Sequence, residues 1–172
     1  MSGSLPFEPD RLLEVLERHR VRYVVIGGLA ALLRGSPYNT RDVDVTPDRG
    51  RRNLRRLADA LRELEAKIRI EPGVQPRTLI FEPDFLNRFQ NLALVTAHGN
   101  LDICLTPDGT RGYSDLKRGA SRERITETVE ISVASLADVI RSKQAAGREK
   151  DRVQLPTLRL LLERERELSE EG

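Results

Sequence analysis

The chain has no tryptophan, one cysteine, two histidines and only 4% aromatic residues. A lone Cys104 forms no internal disulfide, and no Cys/His cluster has zinc-ligand spacing. A reduced, cytoplasmic setting is the expectation. No segment approaches the ~18 consecutive apolar residues of a membrane span, so no membrane partner is expected. The N-terminus lacks the basic start and apolar stretch of a signal peptide. Internal repeats and low-complexity tracts are also missing. Lysine is scarce: of 29 basic residues only Lys67, Lys117, Lys143 and Lys150 are lysine, and the other 25 are arginine.

What remains is a chain of 172 residues with a net charge of +2, long enough for one domain with a sizeable core and cramped for two. Its 33% charged residues exceed the usual share of about 25%. Residues 1–9 read as a flexible leader, residues 10–134 as the core of the domain, and residues 135–172 as C-terminal helices packed on it.

Along the chain, Pro9 and Asp10 start a helix whose apolar stripe is Leu12, Leu13, Val15 and Leu16. Residues 21–26 read as a buried strand that ends at Gly27-Gly28, and residues 29–33 as a short apolar helix stopped by Gly35 and Pro37. A second strand covers residues 42–45. Leu54, Leu57, Ala58, Leu61 and Leu64 mark a helix. In the middle, residues 68–70, 78–81 and 92–96 are each candidate strands. Residues 101–105 form another strand, 111–118 a short helix, and 126–133 alternate in the strand manner. Ser135 caps a helix closed at Gly147, and a terminal helix covers about residues 151–168, with Pro156 set to delay or kink it. Strands alternating with helices before a helical tail give an α/β (α+β) class.

Asp42 and Asp44 lie two apart on a strand, so their carboxylates share a face. Such a pair can hold divalent cations, and Asp102 in Leu101-Asp102-Ile103 can complete a set of three. The bland alternative is a turn cap or a solvent-facing pair. Gly27-Gly28 before a helix permits close approach of a polyphosphate; a plain strand-to-helix turn explains it equally well. Arg49, Arg51, Arg52, Arg55 and Arg56 crowd a helix start where cations oppose the macrodipole. An anionic partner explains them, as does a solvated face balanced by Asp48, Asp59 and Glu63. Lys143 and Lys150 fall close together in a chain that otherwise uses arginine, and a compact ammonium binds phosphate as a point charge. The alternative is an ordinary helix C-terminus. His19 reads as a surface residue, His98 as a hairpin-turn residue, and Cys104 as packing on the Asp102 face.

In their order, Gly27-Gly28, Asp42-Val43-Asp44 and Leu101-Asp102-Ile103 resemble the minimal core of the nucleotidyltransferase superfamily related to DNA polymerase β. The segment Lys143…Arg148-Glu149-Lys150-Asp151 is similar to the C-terminal motifs of the abortive-infection (AbiEii/MenT-type) nucleotidyltransferase toxins. The resemblance spans about residues 10–160. It implies a nucleotidyltransferase fold, a mixed β-sheet flanked by helices with a short C-terminal helical tail. It also implies Mg²⁺ at a two-metal site, a nucleoside triphosphate donor, tRNA as acceptor and a cognate antitoxin as partner.

Carried over by position, Asp42, Asp44 and Asp102 hold metal. Gly27, Gly28, Lys143, Arg148 and Lys150 contact the nucleotide, and Asp151 is a further site acid. Three positions depart from the relatives: Gly28 stands where serine is common, Tyr38 where arginine is common, and Gln154 where a further aspartate is common. Two other functions stand beside the toxin reading. One is a small-molecule nucleotidyltransferase of the antibiotic-modifying type, with Asp102 or a nearby Glu as base. The other is a non-catalytic binding module on the same fold.

Overall fold

The computed structural model describes residues 5–172, so residues 1–4 of the expected leader lie outside it. In the remainder of that leader, Phe7 packs against the core and the Glu8 N–H donates to the His98 carbonyl at 2.9 Å.

Seven strands form one mixed sheet: β1 (Tyr23–Ile26), β2 (Asp42–Pro47), β3 (Lys67–Ile68), β4 (Asn91–Thr96), β5 (Gly99–Cys104), β6 (Ser121–Arg124) and β7 (Glu130–Val133). Their order across the sheet is β3-β4-β5-β2-β1-β7-β6. The pairs β1/β7 and β2/β5 are parallel, and the other four neighbours are antiparallel. The helices are α1 (Pro9–Arg18), α2 (Gly27–Leu33), α3 (Arg51–Glu63), α4 (Pro83–Leu86), α5 (Tyr113–Gly119), α6 (Leu136–Ala146) and α7 (Glu149–Glu170). This is the mixed sheet flanked by helices that the resemblance implies, in the α/β (α+β) class with a helical tail that the sequence pattern leads one to expect.

Each helix buries the stripe its apolar spacing defines. In α1 this is Leu12, Leu13, Val15 and Leu16, and in α3 it is Leu54, Leu57, Ala58 and Leu61. Central strands β1 and β2 contribute Val24, Val25, Val43 and Val45, all fully buried, to the same core. Leu136, Val139, Ile140, Leu155 and Leu158 from α6 and α7 join it.

Several boundaries differ from the sequence reading. The first strand begins at Tyr23; just before it, Asn53 Oδ1 accepts from the Arg22 N–H at 2.7 Å in place of a strand partner, while the Arg22 carbonyl accepts both from Asn53 Nδ2 at 2.9 Å and from the Asp48 N–H at 3.0 Å. Helix α2 starts at Gly27 with no intervening turn. Residues 78–81 form no strand; Phe81 is buried as an anchor, and Arg77 makes only an isolated bridge to Ile68. Residues 126–129 are not strand but the connection between β6 and β7, where Thr126 Oγ1 accepts from the Val129 N–H at 3.1 Å. Strand β6 is Ser-Arg-Glu-Arg, wholly polar at a sheet edge, and apolar periodicity is blind to it. Helix α7 runs through Pro156 unbroken. No helix among the described residues is long and apolar enough to cross a membrane.

Candidate functional site

The site grows from the pleat of two central strands. Along β2, Val43 and Val45 turn into the core, which leaves Asp42 and Asp44 together on the opposite face. Strand β5 alternates the same way: Leu101 and Ile103 are buried, while Asn100, Asp102 and Cys104 face the cleft side. Because β2 and β5 run parallel with Asp44 opposite Asp102 and Asp42 opposite Asn100, the carboxylates form adjacent rungs of one ladder. Asn100 Nδ2 donates to Asp42 Oδ1 at 3.1 Å. Arg69 Nη2 donates to Asp102 Oδ1 at 2.9 Å.

Antiparallel β1 brings Ile26 opposite Asp44, so Gly27 arrives directly against that carboxylate. A Cβ on Gly27 would stand 2.6 Å from Asp44 Oδ2, and its φ of +65° is left-handed. Glycine is therefore required here twice over. At Gly28 a Cβ would meet Thr40 Oγ1 at 3.0 Å. The Thr40 hydroxyl, which donates to the Asp42 carbonyl at 3.1 Å, thus occupies the space that a side chain at position 28 would use.

The opposite wall is cationic. Ser135 caps α6 by accepting from the Asp138 N–H at 3.1 Å, and Gly147, with φ 62°, ends it in the left-handed conformation. Chain reversal there carries Lys143, Arg148 and Lys150 to a cleft of about 400 Å³, whose other side holds Gly27, Gly28, Asp42, Asp44 and Asp102. Ten of the eleven residue positions carried over from the resemblance or noted as departures from it line this cleft or its rim: these eight, Tyr38 and Gln154, with Asp151 the exception.

Asp151 lies beneath the cleft, fully buried. Its Oδ1 accepts from Lys143 Nζ at 3.3 Å and its Oδ2 from Arg148 Nε at 2.8 Å. Burial pushes the Asp151 carboxyl up, but the Arg148 hydrogen bond and the Lys143 charge outweigh it and hold the group below its ordinary range. Asp151 supports two cations from behind; it does not face the cleft as a site acid.

Electrostatics single out Asp44. Burial, followed by the charges of Asp102 and Asp42, pushes its carboxyl up to about 7, while Lys150 and Lys143 pull the other way. Burial also raises Asp102, against the opposing effect of Arg69. Among the described residues, no three His, Cys, Asp or Glu side chains stand grouped to hold a metal ion. The donor chemistry nevertheless fits a hard divalent cation: three carboxylates share one face, and Asp44 is raised by burial and then by its like-charged neighbours, a penalty that a cation between them would offset.

Other candidates fall away. The arginines around the start of α3 do not line the cleft: Arg51 pairs with Asp84 at 2.6 Å, Arg49 Nε donates to Asn87 Oδ1 at 2.8 Å, and Arg56 Nη1 donates to the Arg20 carbonyl at 3.2 Å. Arg49, Arg51 and Arg56 thus have local partners, and Arg52 and Arg55 are exposed outside the cleft. Cys104 does line the cleft, and burial pushes its thiol up to about 11, which keeps it protonated and unreactive near neutral pH. His19 sits 3.5 Å from Glu63 and His98 lies in the β4–β5 turn, both outside the cleft. Sequence reasoning overlooked Arg69, Asn100 and Thr40. Asn100 is the one with a signal, since it precedes Asp102 by two and so shares its face.

No family model matches this chain, and no curated protein matches it in sequence. Solved structures do. The lincosamide antibiotic adenylyltransferase LnuA, in its lincomycin-bound form, superposes with a TM-score of 0.57 at 18% identity, covering 89% of this chain and 95% of that one. A candidate nucleotidyltransferase from Thermotoga maritima superposes with a TM-score of 0.51 at 18% identity, covering 95% and 99%. With its mixed sheet, its helical tail and these neighbours, the chain has the nucleotidyltransferase fold.

Proposed function

We propose that this protein is a nucleotidyltransferase, which moves a nucleoside monophosphate from a nucleoside triphosphate to an acceptor hydroxyl. The carrying observation is the facing of two walls: Asp42, Asp44 and Asp102 on the sheet, and Lys143, Arg148 and Lys150 across a cleft of about 400 Å³. In the reaction the acceptor oxygen bonds to the α-phosphorus and its hydroxyl proton passes to solvent, while the bond from that phosphorus to pyrophosphate breaks. Lys143, Arg148 and Lys150 bind and orient the polyphosphate, and their charge offsets that of the departing pyrophosphate. Asp151 keeps the first two of these cations in place.

Asp42, Asp44 and Asp102 are the residues that would hold Mg²⁺. Bound there, divalent ions would neutralise phosphate charge and lower the pKa of the acceptor hydroxyl. Gly27 leaves Asp44 free to reach the cleft, and Thr40 presents a hydroxyl beside Gly28.

A small hydroxylated molecule is the acceptor best supported. What supports it is the likeness of fold to LnuA, a lincosamide antibiotic adenylyltransferase in a lincomycin-bound form, over 89% of this chain and 95% of that one. A tRNA acceptor, expected from the toxin-like motifs, would call for a basic surface beside the cleft. The clustered arginines of α3 lie away from it.

One assay separates the readings. Purified protein is incubated with Mg²⁺, each labelled triphosphate, and either total tRNA or a panel of lincosamides and aminoglycosides. Label on a small molecule supports this reading, and label on tRNA replaces the acceptor. No transfer to either, with Asp42→Ala and Asp44→Ala leaving nucleotide binding unchanged, sinks the enzyme and leaves a binding module.

A further inference from the structure

Arg69 stands one residue beyond β3, where the ladder between β3 and β4 is just ending. Its N–H donates to the Ala93 carbonyl at 2.9 Å, which continues the pairing by one step. Ala93 is in turn opposite Asp102, and Asp102 opposite Asp44. Arg69, Ala93, Asp102 and Asp44 therefore form a single row running across the strands. Side chains in such a row share a face of the sheet. The small Ala93 side chain leaves a passage over β4, and the Arg69 guanidinium uses it: Nη1 reaches the Leu94 carbonyl at 3.5 Å and Nη2 reaches Asp102 Oδ1 at 2.9 Å.

We propose that Arg69 is a latch on the cation site, competing with a divalent ion for the Asp102 carboxylate and thereby setting the affinity of the site for metal. This inference rests on the reading of Asp42, Asp44 and Asp102 as metal-holding residues. Two observations carry it. Asp44 and Asp102 are opposite in register, yet the three carboxylates do not stand grouped for a metal, and Asp102 gives an oxygen to Arg69. The guanidinium and a divalent ion are also like charges that would approach the same small carboxylate, so each disfavours the other.

The latch is built to release. Both partners are about one-third exposed, at 34% and 30%, which makes the ion pair solvent-screened and weak enough to exchange. Arg69 is held at the sheet's edge strand, where letting go leaves the core intact. A latch of this kind would keep the Asp102 carboxylate paired until a metal ion displaces the guanidinium.

The test is Mn²⁺ affinity without nucleotide or acceptor, read by electron paramagnetic resonance or calorimetry. It uses the full chain, Arg69→Met, Arg69→Gln as a second variant should the first fold poorly, and Arg77→Gln as a control for loss of one nearby exposed charge. Removing the guanidinium should tighten Mn²⁺ by about threefold or more, the scale of an exposed to half-exposed ion pair, with a clearly smaller change in the control. Adding Asp102→Asn to Arg69→Met should erase the gain. Unchanged or weaker Mn²⁺ binding in Arg69→Met overturns the latch and makes Arg69 a supporting partner that orients Asp102, while the metal reading stands. If neither the natural chain nor Arg69→Met binds Mn²⁺, the metal reading and the latch fall together.

Discussion

Asp44 of β2 lies directly opposite Asp102 of β5 in a parallel register, and Gly27 is so close to Asp44 that any Cβ there would collide with Oδ2. Two like charges on neighbouring strands, one wedged against bare backbone, make a cation-seeking arrangement with a cost to the fold that experiment can read.

That cost has a pH signature. The Asp44 carboxyl is raised to about 7 in the folded chain from an ordinary 3.8, so between these values the native state holds a proton that the unfolded state has lost. Stability therefore falls as pH climbs from about 4 to about 7 and levels off above. In EDTA, Asp44→Asn should remove this dependence and raise the melting temperature at pH 8 by several degrees. A natural chain as stable at pH 8 as at pH 5, once other groups are matched by the variant, sinks the assignment.

Metal should reverse the penalty. At Mg²⁺ concentrations about 100-fold above the dissociation constant, binding contributes roughly 2.7 kcal/mol, a rise of about 5–10 °C for a chain of this size. Calorimetric melts with and without Mg²⁺ measure it. Asp42→Asn and Asp44→Asn should each abolish the gain, and a variant that keeps it is not missing a ligand.

Asp151 and Lys143 make a buried pair at 3.3 Å, with Arg148 as the third member. Removing only the acid leaves Lys143 buried beside no counter-charge, so Asp151→Ala should cost about 3–5 kcal/mol in urea unfolding. Lys143→Met/Asp151→Leu should recover much of that stability yet still bind nucleotide poorly. If Lys143→Met alone leaves the KM for triphosphate unchanged, the cationic wall is not where the polyphosphate sits.

The two glycines should behave differently. Gly27→Ala combines a left-handed φ with a contact of 2.6 Å on a carboxylate, and should destabilise by about 1–3 kcal/mol and blunt the Mg²⁺-induced rise in melting temperature. Gly28→Ala meets the movable Thr40 side chain at 3.0 Å and should cost clearly less. Equal losses in the two variants would count against the close approach of Gly27 to Asp44.

Arg52→Gln/Arg55→Gln, on the solvated face of α3, should change neither nucleotide affinity nor transfer to a small acceptor. A marked fall in transfer to tRNA would move the acceptor reading toward RNA.

Much of the cleft was legible before any tertiary information because strand alternation is a local rule. Asp42, Asp44 and Asp102 could be placed on faces from period two alone, and the scarcity of lysine drew attention to Lys143 and Lys150. Illegible parts had non-local causes. Strand β6 has no apolar residue to announce it, and the Arg22 N–H just before β1 is taken by Asn53 from a helix far along the chain. The α3 arginines looked like a ligand surface because their partners, Asp84 and Asn87, lie in a segment whose structure had no periodic signal.

By itself the sequence determined the alternating elements, the shared face of the paired aspartates and the order of the motifs, since each follows from backbone geometry over a few residues. Only the tertiary structure decided what those residues do to one another. Register across β4, β5 and β2 sets Arg69, Asp102 and Asp44 in one row, and the α6–α7 reversal sinks Asp151 beneath the cations it was expected to stand beside. Both outcomes depend on pairing between distant segments, where burial and neighbouring charge, absent from any local pattern, settle whether a carboxylate faces a ligand or an arginine.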